Sequence, residues 1–125
     1  MDWVSCQELS TAALGRLAEE SACRFLRARG IAISARNVVL DLGEIDIVAP
    51  IGGERTLIEV RSSRIRRGAT WPPAPALAAF DFQKARQVRL LARSSRCTRI
   101  DVIAVRFHEG GIDLHWVPRA VGSGE

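Results

Sequence analysis

Three carboxylates, Glu19, Asp46 and Glu59, carry most of the chemistry this sequence can offer. Asp46 and Glu59 stand in strand-like apolar runs, Ile45 to Ala49 and Thr56 to Arg61, and the Gly52-Gly53 pair between them signals a two-residue hairpin turn. A hairpin closed there sets Asp46 opposite Glu59 and Glu44 opposite Arg61. Directly opposed residues have Cβ atoms about 4.5 to 5.5 Å apart, where like charges destabilise unless a cation offsets them. Alternation of side chains places Leu57, Glu59 and Arg61 on one face of the second strand. In the first strand it groups Ile45, Ile47 and Ala49 against Asp46 and Val48. Asp46 thus interrupts a run that reads as buried on both sides, where a carboxylate requires a partner. That partner is either a divalent cation or an arginine, Arg61 being in range, in a structural ion pair.

The elements that position these groups follow from periodicity. Leu14, Leu17, Ala18, Ala22 and Phe25 recur at three- and four-residue spacing, predicting a helix from Leu9 to Arg29 that Ser10 or Thr11 caps and Gly30 ends. Glu19 borders that apolar stripe and is the candidate third carboxylate. Glu20, with Arg16, Arg24 and Arg27 around it, reads as an ordinary surface ion-pair residue. A strand from Ile33 to Leu40 precedes the hairpin. Residues 62–79, with Gly68, Pro72, Pro73 and Pro75, read as a mobile loop. A second helix from Phe82 to Ser94 carries Arg86, Arg89 and Arg93, joined by Arg96 if it extends that far, within an arc of roughly 80°. Lys84, the single lysine, projects toward the apolar side, either reaching the acids or lying along the core edge with its amine in water. Strands from Arg99 to Phe107 and Ile112 to Val117 follow, and residues 119–125 read as a frayed tail. The order is α-β-β-β-α-β-β.

With 125 residues, 47% of them hydrophobic, the chain fits one domain spanning 1–125. It begins without a basic and then apolar leader, and its apolar runs are strand-sized, so the expectation is a cytoplasmic protein that does not enter a membrane. Cys6, Cys23 and Cys97 are odd in number and widely spaced, and His108 and His115 stand seven apart. Neither a disulfide framework nor a zinc site has its usual ligands, so a hard, oxygen-ligated cation suits the sequence better. The formal charge of +4 is unevenly spread. Arg61, Arg64, Arg66 and Arg67 cluster after the hairpin, and Arg86, Arg89, Arg93 and Arg96 follow in the second helix. Such clusters suit the phosphates of a nucleic acid, and equally a solvated surface.

Six segments stand in a characteristic order and spacing: Leu14-Gly-Arg-Leu-Ala-Glu19-Glu-Ser-Ala22 with Phe25, Leu26 and Gly30; Asn37; Gly43-Glu-Ile-Asp46-Ile-Val-Ala49; Ile58-Glu59-Val60-Arg61; Lys84 with Val88 and Ala92; and Arg99-Ile-Asp-Val-Ile-Ala-Val105. Together they resemble the YraN-like bacterial proteins, which are similar to archaeal Holliday-junction resolvases within the PD-(D/E)xK superfamily. The resemblance implies an α/β, restriction-endonuclease-like core with a central mixed sheet flanked by helices. It further implies that Glu19, Asp46 and Glu59 hold Mg²⁺ or Mn²⁺ beside a scissile phosphate of DNA, in branched or damaged form. A homodimer would match a symmetric substrate. Two positions depart from the pattern: Ala18 replaces a common Gly, and Arg61 replaces the lysine of the E-x-K motif. Arginine supplies bidentate positive charge but does not readily give up a proton. Lys84 is the candidate replacement amine. The alternatives are a nucleic-acid-binding module without catalysis, and a scaffold that meets a protein partner through the Trp71-Pro-Pro loop.

Overall fold

The computed structural model describes residues 8–64 and 82–122. Helix α1 (Thr11–Ala28) starts on Ser10, whose Oγ accepts the Ala13 N–H at 3.1 Å, and this settles the choice between Ser10 and Thr11. It stops at Gly30, which adopts φ +79°. There the Gly30 N–H reaches the Arg27 carbonyl and the Ile31 N–H the Leu26 carbonyl, so the last turn closes on itself.

Five strands follow the expected order: β1 (Ala35–Leu40), β2 (Gly43–Ile51) and β3 (Glu54–Arg64), then helix α2 (Phe82–Ser94), β4 (Arg99–His108) and β5 (Gly111–Val121). They lie side by side in the order β1-β2-β3-β4-β5. Only the β3–β4 pair is parallel, because only there does a crossover through α2 intervene. This is the mixed sheet flanked by helices that the sequence predicts.

The two faces pack separately. Leu14, Ala18, Ala22 and Leu26 of α1 close over Ile47, Ile58, Ile103 and Val105. Val88, Leu91 and Ala92 of α2 close over Ile45, Val48, Leu57 and Ile100. Strands buried on both faces carry continuous apolar runs, which is why Ile47, Val48 and Ala49 are all fully buried.

Most element ends differ from the sequence reading by one to three residues, and two of the differences extend strands into segments read as irregular. Residues 62–64, read as the start of a loop, continue β3, because each pairs with β4 as far as Arg64 opposite Phe107. Residues 65–79 lie outside the described residues. Residues 119–121, read as tail, complete β5. The Arg119 N–H donates to Asp101 Oδ1 at 3.0 Å where the β4–β5 register shifts between Ile100 and Val102.

Asp101 has no solvent exposure, yet four donors satisfy it. Besides the Arg119 amide, it takes Arg99 Nε at 2.8 Å, Arg99 Nη2 at 3.1 Å and Trp116 Nε1 at 2.8 Å. Removing one partner of a buried ion pair leaves the other uncompensated, at a cost of about 3 to 5 kcal/mol. Asp101→Ala should therefore lower the unfolding free energy by about 3 kcal/mol in urea titrations followed by tryptophan fluorescence. A midpoint equal to that of the wild type would contradict this assignment.

Candidate active site at the split between β2 and β3

The hairpin has the predicted register. Gly52 and Gly53, both at positive φ (+60° and +79°), form the turn, and pairing runs from Ile51 opposite Glu54 to Ile47 opposite Ile58. There the ladder ends, one step before Asp46 and Glu59. In place of the next backbone rung, the Val60 N–H donates to Asp46 Oδ2 at 2.8 Å.

This exchange breaks the alternation of β2. Ile47 packs on the α1 side, whereas Ile45 packs on the α2 side with Val88 and Leu91. The expectation that Ile45 and Ile47 share a face is thus corrected, since a side chain that replaces a backbone partner resets the strand's phase at Asp46. On the neighbouring strand Asn37 takes φ +52°, between the pairs Arg36–Ile47 and Val38–Ile45.

Glu59 is only 6% exposed and lies on the face of Leu57 that α2 covers. Lys84 Nζ stands 3.1 Å from Glu59 Oε1, and Arg61 Nη1 stands 3.9 Å from the same oxygen. Of the two readings of Lys84, the structure thus takes the one that reaches the acids. Burial pushes the Asp46 carboxyl up from the usual 3.8 to about 7, and the charge of Glu59 adds to the effect. The Val60 hydrogen bond and Lys84 oppose the rise without cancelling it. Glu19 is also raised, first by burial and then by Glu44 and Glu59, against the pull of Arg36.

Asp46, Glu59, Lys84 and Arg61 are therefore brought together, and Glu19 approaches from α1 closely enough to feel the charge of Glu59. Among the described residues, no three His, Cys, Asp or Glu side chains stand close enough to hold a metal ion. The donor set is nevertheless all carboxylate oxygen. Burial first, and then the like charge of Glu59, is what raises Asp46 among them.

The sequence profile of the uncharacterised protein family UPF0102 matches residues 18–105, a span that contains every one of these groups. The chain belongs to this family. A UPF0102 protein of Pelotomaculum thermopropionicum is 35% identical over 106 residues, covering 78% of this chain and 84% of its relative. One from Symbiobacterium thermophilum is 40% identical over 96 residues, covering 74% and 80%. One from Ralstonia nicotianae is 34% identical over 122 residues, covering 89% and 88%. The YraN-like resemblance read from the motifs is the same family. Among solved structures, the crystal structure of SSO0001 overlays with a TM-score of 0.48 at 14% identity, covering 96% of this chain and 58% of that one. That likeness lies below the level at which a shared fold can be argued.

The arginines are placed less uniformly than the sequence suggests. Arg64 Nη2 donates to the Leu9 carbonyl, which ties β3 to the start of α1. Arg66 and Arg67 lie outside the described residues, as does Trp71. On α2, Arg86 and Arg93 are exposed, but Arg89 Nε donates to the Gly122 carbonyl at 3.1 Å. The helix ends at Ser94, so Arg96, at φ +62°, sits in the following turn and not on a helical stripe. Glu20 pairs with Arg24 as expected, and also with Arg36 of β1 at 3.0 Å. No helix among the described residues is long and apolar enough to cross a membrane.

The raised Asp46 fixes the sign of a pH dependence. Between about pH 4 and 7 the folded chain holds a proton that the unfolded chain releases, so in EDTA stability falls as pH rises through this window and levels off above it. Asp46→Asn keeps an oxygen acceptor for Val60 and removes the charge. It should be more stable than the wild type at pH 8, by up to about 4 kcal/mol, and the difference should shrink toward pH 4. Parallel stability profiles for the two proteins would rule out the buried charge as the cause.

Proposed function

We propose that this protein is a divalent-cation-dependent nuclease that hydrolyses DNA phosphodiesters at the split between β2 and β3. The observation that carries the reading is the placement of the amine. The chain has one lysine against seventeen arginines, and that lysine stands 3.1 Å from the buried Glu59. A surface charge or a simple ion pair is served as well by arginine. An amine that must shed or relay a proton beside two carboxylates is not, because arginine stays protonated.

Asp46 and Glu59 would hold a Mg²⁺ or Mn²⁺ ion, with Glu19 approaching from α1. Bound there, the cation would supply Lewis acidity toward a phosphate and its attacking water. The remaining work falls to the chain's own groups. Lys84 would orient the attacking water and relay its proton, passing an ammonium hydrogen to the paired Glu59 carboxylate as it takes one from the water. Arg61, fixed in charge and forked in shape, stabilises the negative charge that develops on the phosphate oxygens. Exposed arginines such as Arg86 and Arg93 contact the phosphates of a longer strand, which positions it without reading sequence. The second reading, a nucleic-acid-binding module without catalysis, rests on Arg61 in the place of the motif lysine.

Cleavage of branched, duplex and single-stranded DNA in Mg²⁺ or Mn²⁺, measured beside binding in EDTA, separates the two. Cleavage supports the nuclease, and binding alone supports the module. In the first case Lys84→Met should reduce the rate about 10²- to 10⁴-fold, the usual contribution of a general acid or base, while leaving binding in EDTA nearly unchanged. Adding Arg61→Lys to that variant should recover part of the loss by returning an amine to the strand. A Lys84→Met protein that cleaves like the wild type removes Lys84 from the mechanism.

A further inference from the structure

A glycine inside a helix weakens it relative to alanine, unless packing or backbone conformation requires the missing side chain. Gly15 lies in the interior of α1, in ordinary helical backbone. A Cβ built on it would meet nothing within 4 Å. Neither conformation nor packing among the described residues calls for glycine there.

Gly15 opens instead onto a groove of about 570 Å³ between α1 and the β1–β2 edge, within the size range of sites that take a small organic ligand. Ala12, Gly15, Arg16 and Glu19, at three- and four-residue spacing, form its helical wall, and Arg36 and Glu44 stand on the sheet side. Without a side chain at Gly15, a flat group can lie directly against the helix backbone. The groove borders the split, because Glu19 lines it and is also close enough to Glu59 to feel its charge.

The polar groups of the groove do not match a simple ion. Arg36 Nη1 pairs with Glu20 Oε2 at 3.0 Å, and the Asn37 side-chain nitrogen, oriented by its acceptors, donates to Glu19 Oε1 and Glu44 Oε1, each at 2.9 Å. These bonds leave lone pairs on both carboxylates, which would repel a phosphate, whereas Arg16 and Arg36 would repel a cation. Arg36 also keeps a buried Nε–H that has no acceptor among the described residues. Donors and acceptors side by side next to bare helix backbone suit a neutral, planar group that carries both on its edge. A nucleobase is such a group: carboxylates accept from the amino group of cytosine, and arginine donates to O6 and N7 of guanine. Inside a duplex a base is stacked and paired, so only an unpaired one can be laid in a groove of this kind.

We propose that this groove holds the base of an unpaired nucleotide beside the phosphate cleaved at the split, so that the substrate carries a single-stranded segment there. This inference rests on the nucleic-acid reading of the preceding subsection. Its test is binding in EDTA, where cleavage plays no part. The full chain of the wild type, Gly15→Ala and Gly15→Leu is titrated into a labelled single-stranded DNA of mixed sequence, and into the same backbone carrying stable abasic residues throughout. Each protein is also melted alone. The wild type should prefer the intact strand by about tenfold or more, the order expected for one base recognised by paired hydrogen bonds. Both variants should melt at or above the wild-type temperature, because alanine and leucine are better helix formers than glycine. Gly15→Leu should lose the preference while holding the abasic strand as the wild type does, and Gly15→Ala should lose part of it. Equal affinity of the wild type for the two strands overturns this proposal and leaves the nuclease reading standing. So does a Gly15→Leu protein that keeps the full preference, since the base then lies elsewhere. Variants that melt well below the wild type overturn it too, because the glycine would then serve the fold. Absence of DNA binding by the wild type overturns both readings.

Discussion

The hydrogen bond from the Val60 N–H to the Asp46 carboxylate is the constraint on which the rest of the site depends. A backbone N–H inside a sheet must find an acceptor, and here the neighbouring strand offers a side chain where a carbonyl would ordinarily stand. From that exchange the other features follow. The β2–β3 ladder stops after Ile47 and Ile58, and Ile45 and Ile47 turn to opposite faces. Asn37, on the next strand beside Asp46, takes the left-handed region. A negatively charged group is thereby installed in the middle of a sheet, a place where charge is costly unless compensated.

The packing around the split prevents the structure from relieving that cost. Ile47, Ile58 and Val48 are fully buried, with α1 closing one face and α2 the other, so water has little access and charges act on one another strongly. Asp46 is itself only partly exposed, and the strands cannot shift register without turning their apolar residues outward. The compensation has to come from within the site, and its protein part is uneven. Lys84 and Arg61 both face Glu59, whereas Asp46 has a single backbone donor and remains raised to about 7.

Much of this was legible in the sequence, for reasons that can be named. The helices were read from apolar spacing, and the hairpin register from one Gly-Gly pair between two apolar runs, because turn chemistry and period are local properties. The grouping of Asp46 with Glu59 followed from that register. What the sequence did not carry was non-local or a departure from regularity. Alternation predicts a uniform strand, so it assigned Ile45 to the face of Ile47 and missed the reset at Asp46. Asn37 and Glu44 stood in the motifs, but that the Asn37 amide meets Glu19 and Glu44 depends on where β1 lies against α1 and β2. Glu20 looked like half of an i,i+4 pair, and its bond to Arg36 depends on where β1 lies against α1. The end of β5 looked frayed because its anchor, Asp101, is eighteen residues earlier in the chain.

Standing on α2 and not on β3, the amine of Lys84 depends on packing of a different kind. A lysine two residues after Glu59 would share its strand, and its position would be as secure as the sheet. Lys84 instead depends on how α2 docks, which is decided one turn further along by Val88 and then Leu91 against Ile45 and Leu57. A polar tie sets the same helix against the β1–β2 turn: Gln87 Nε2 donates to the Leu42 carbonyl at 3.1 Å. Gly43 makes room for it, since a Cβ at that position would fall 2.8 Å from Gln87 Nε2 and its φ of +145° suits glycine alone. The ion pair at Glu59 is therefore coupled to helix packing. Substitutions at Val88 or Gly43 act on the amine by moving the helix that delivers it.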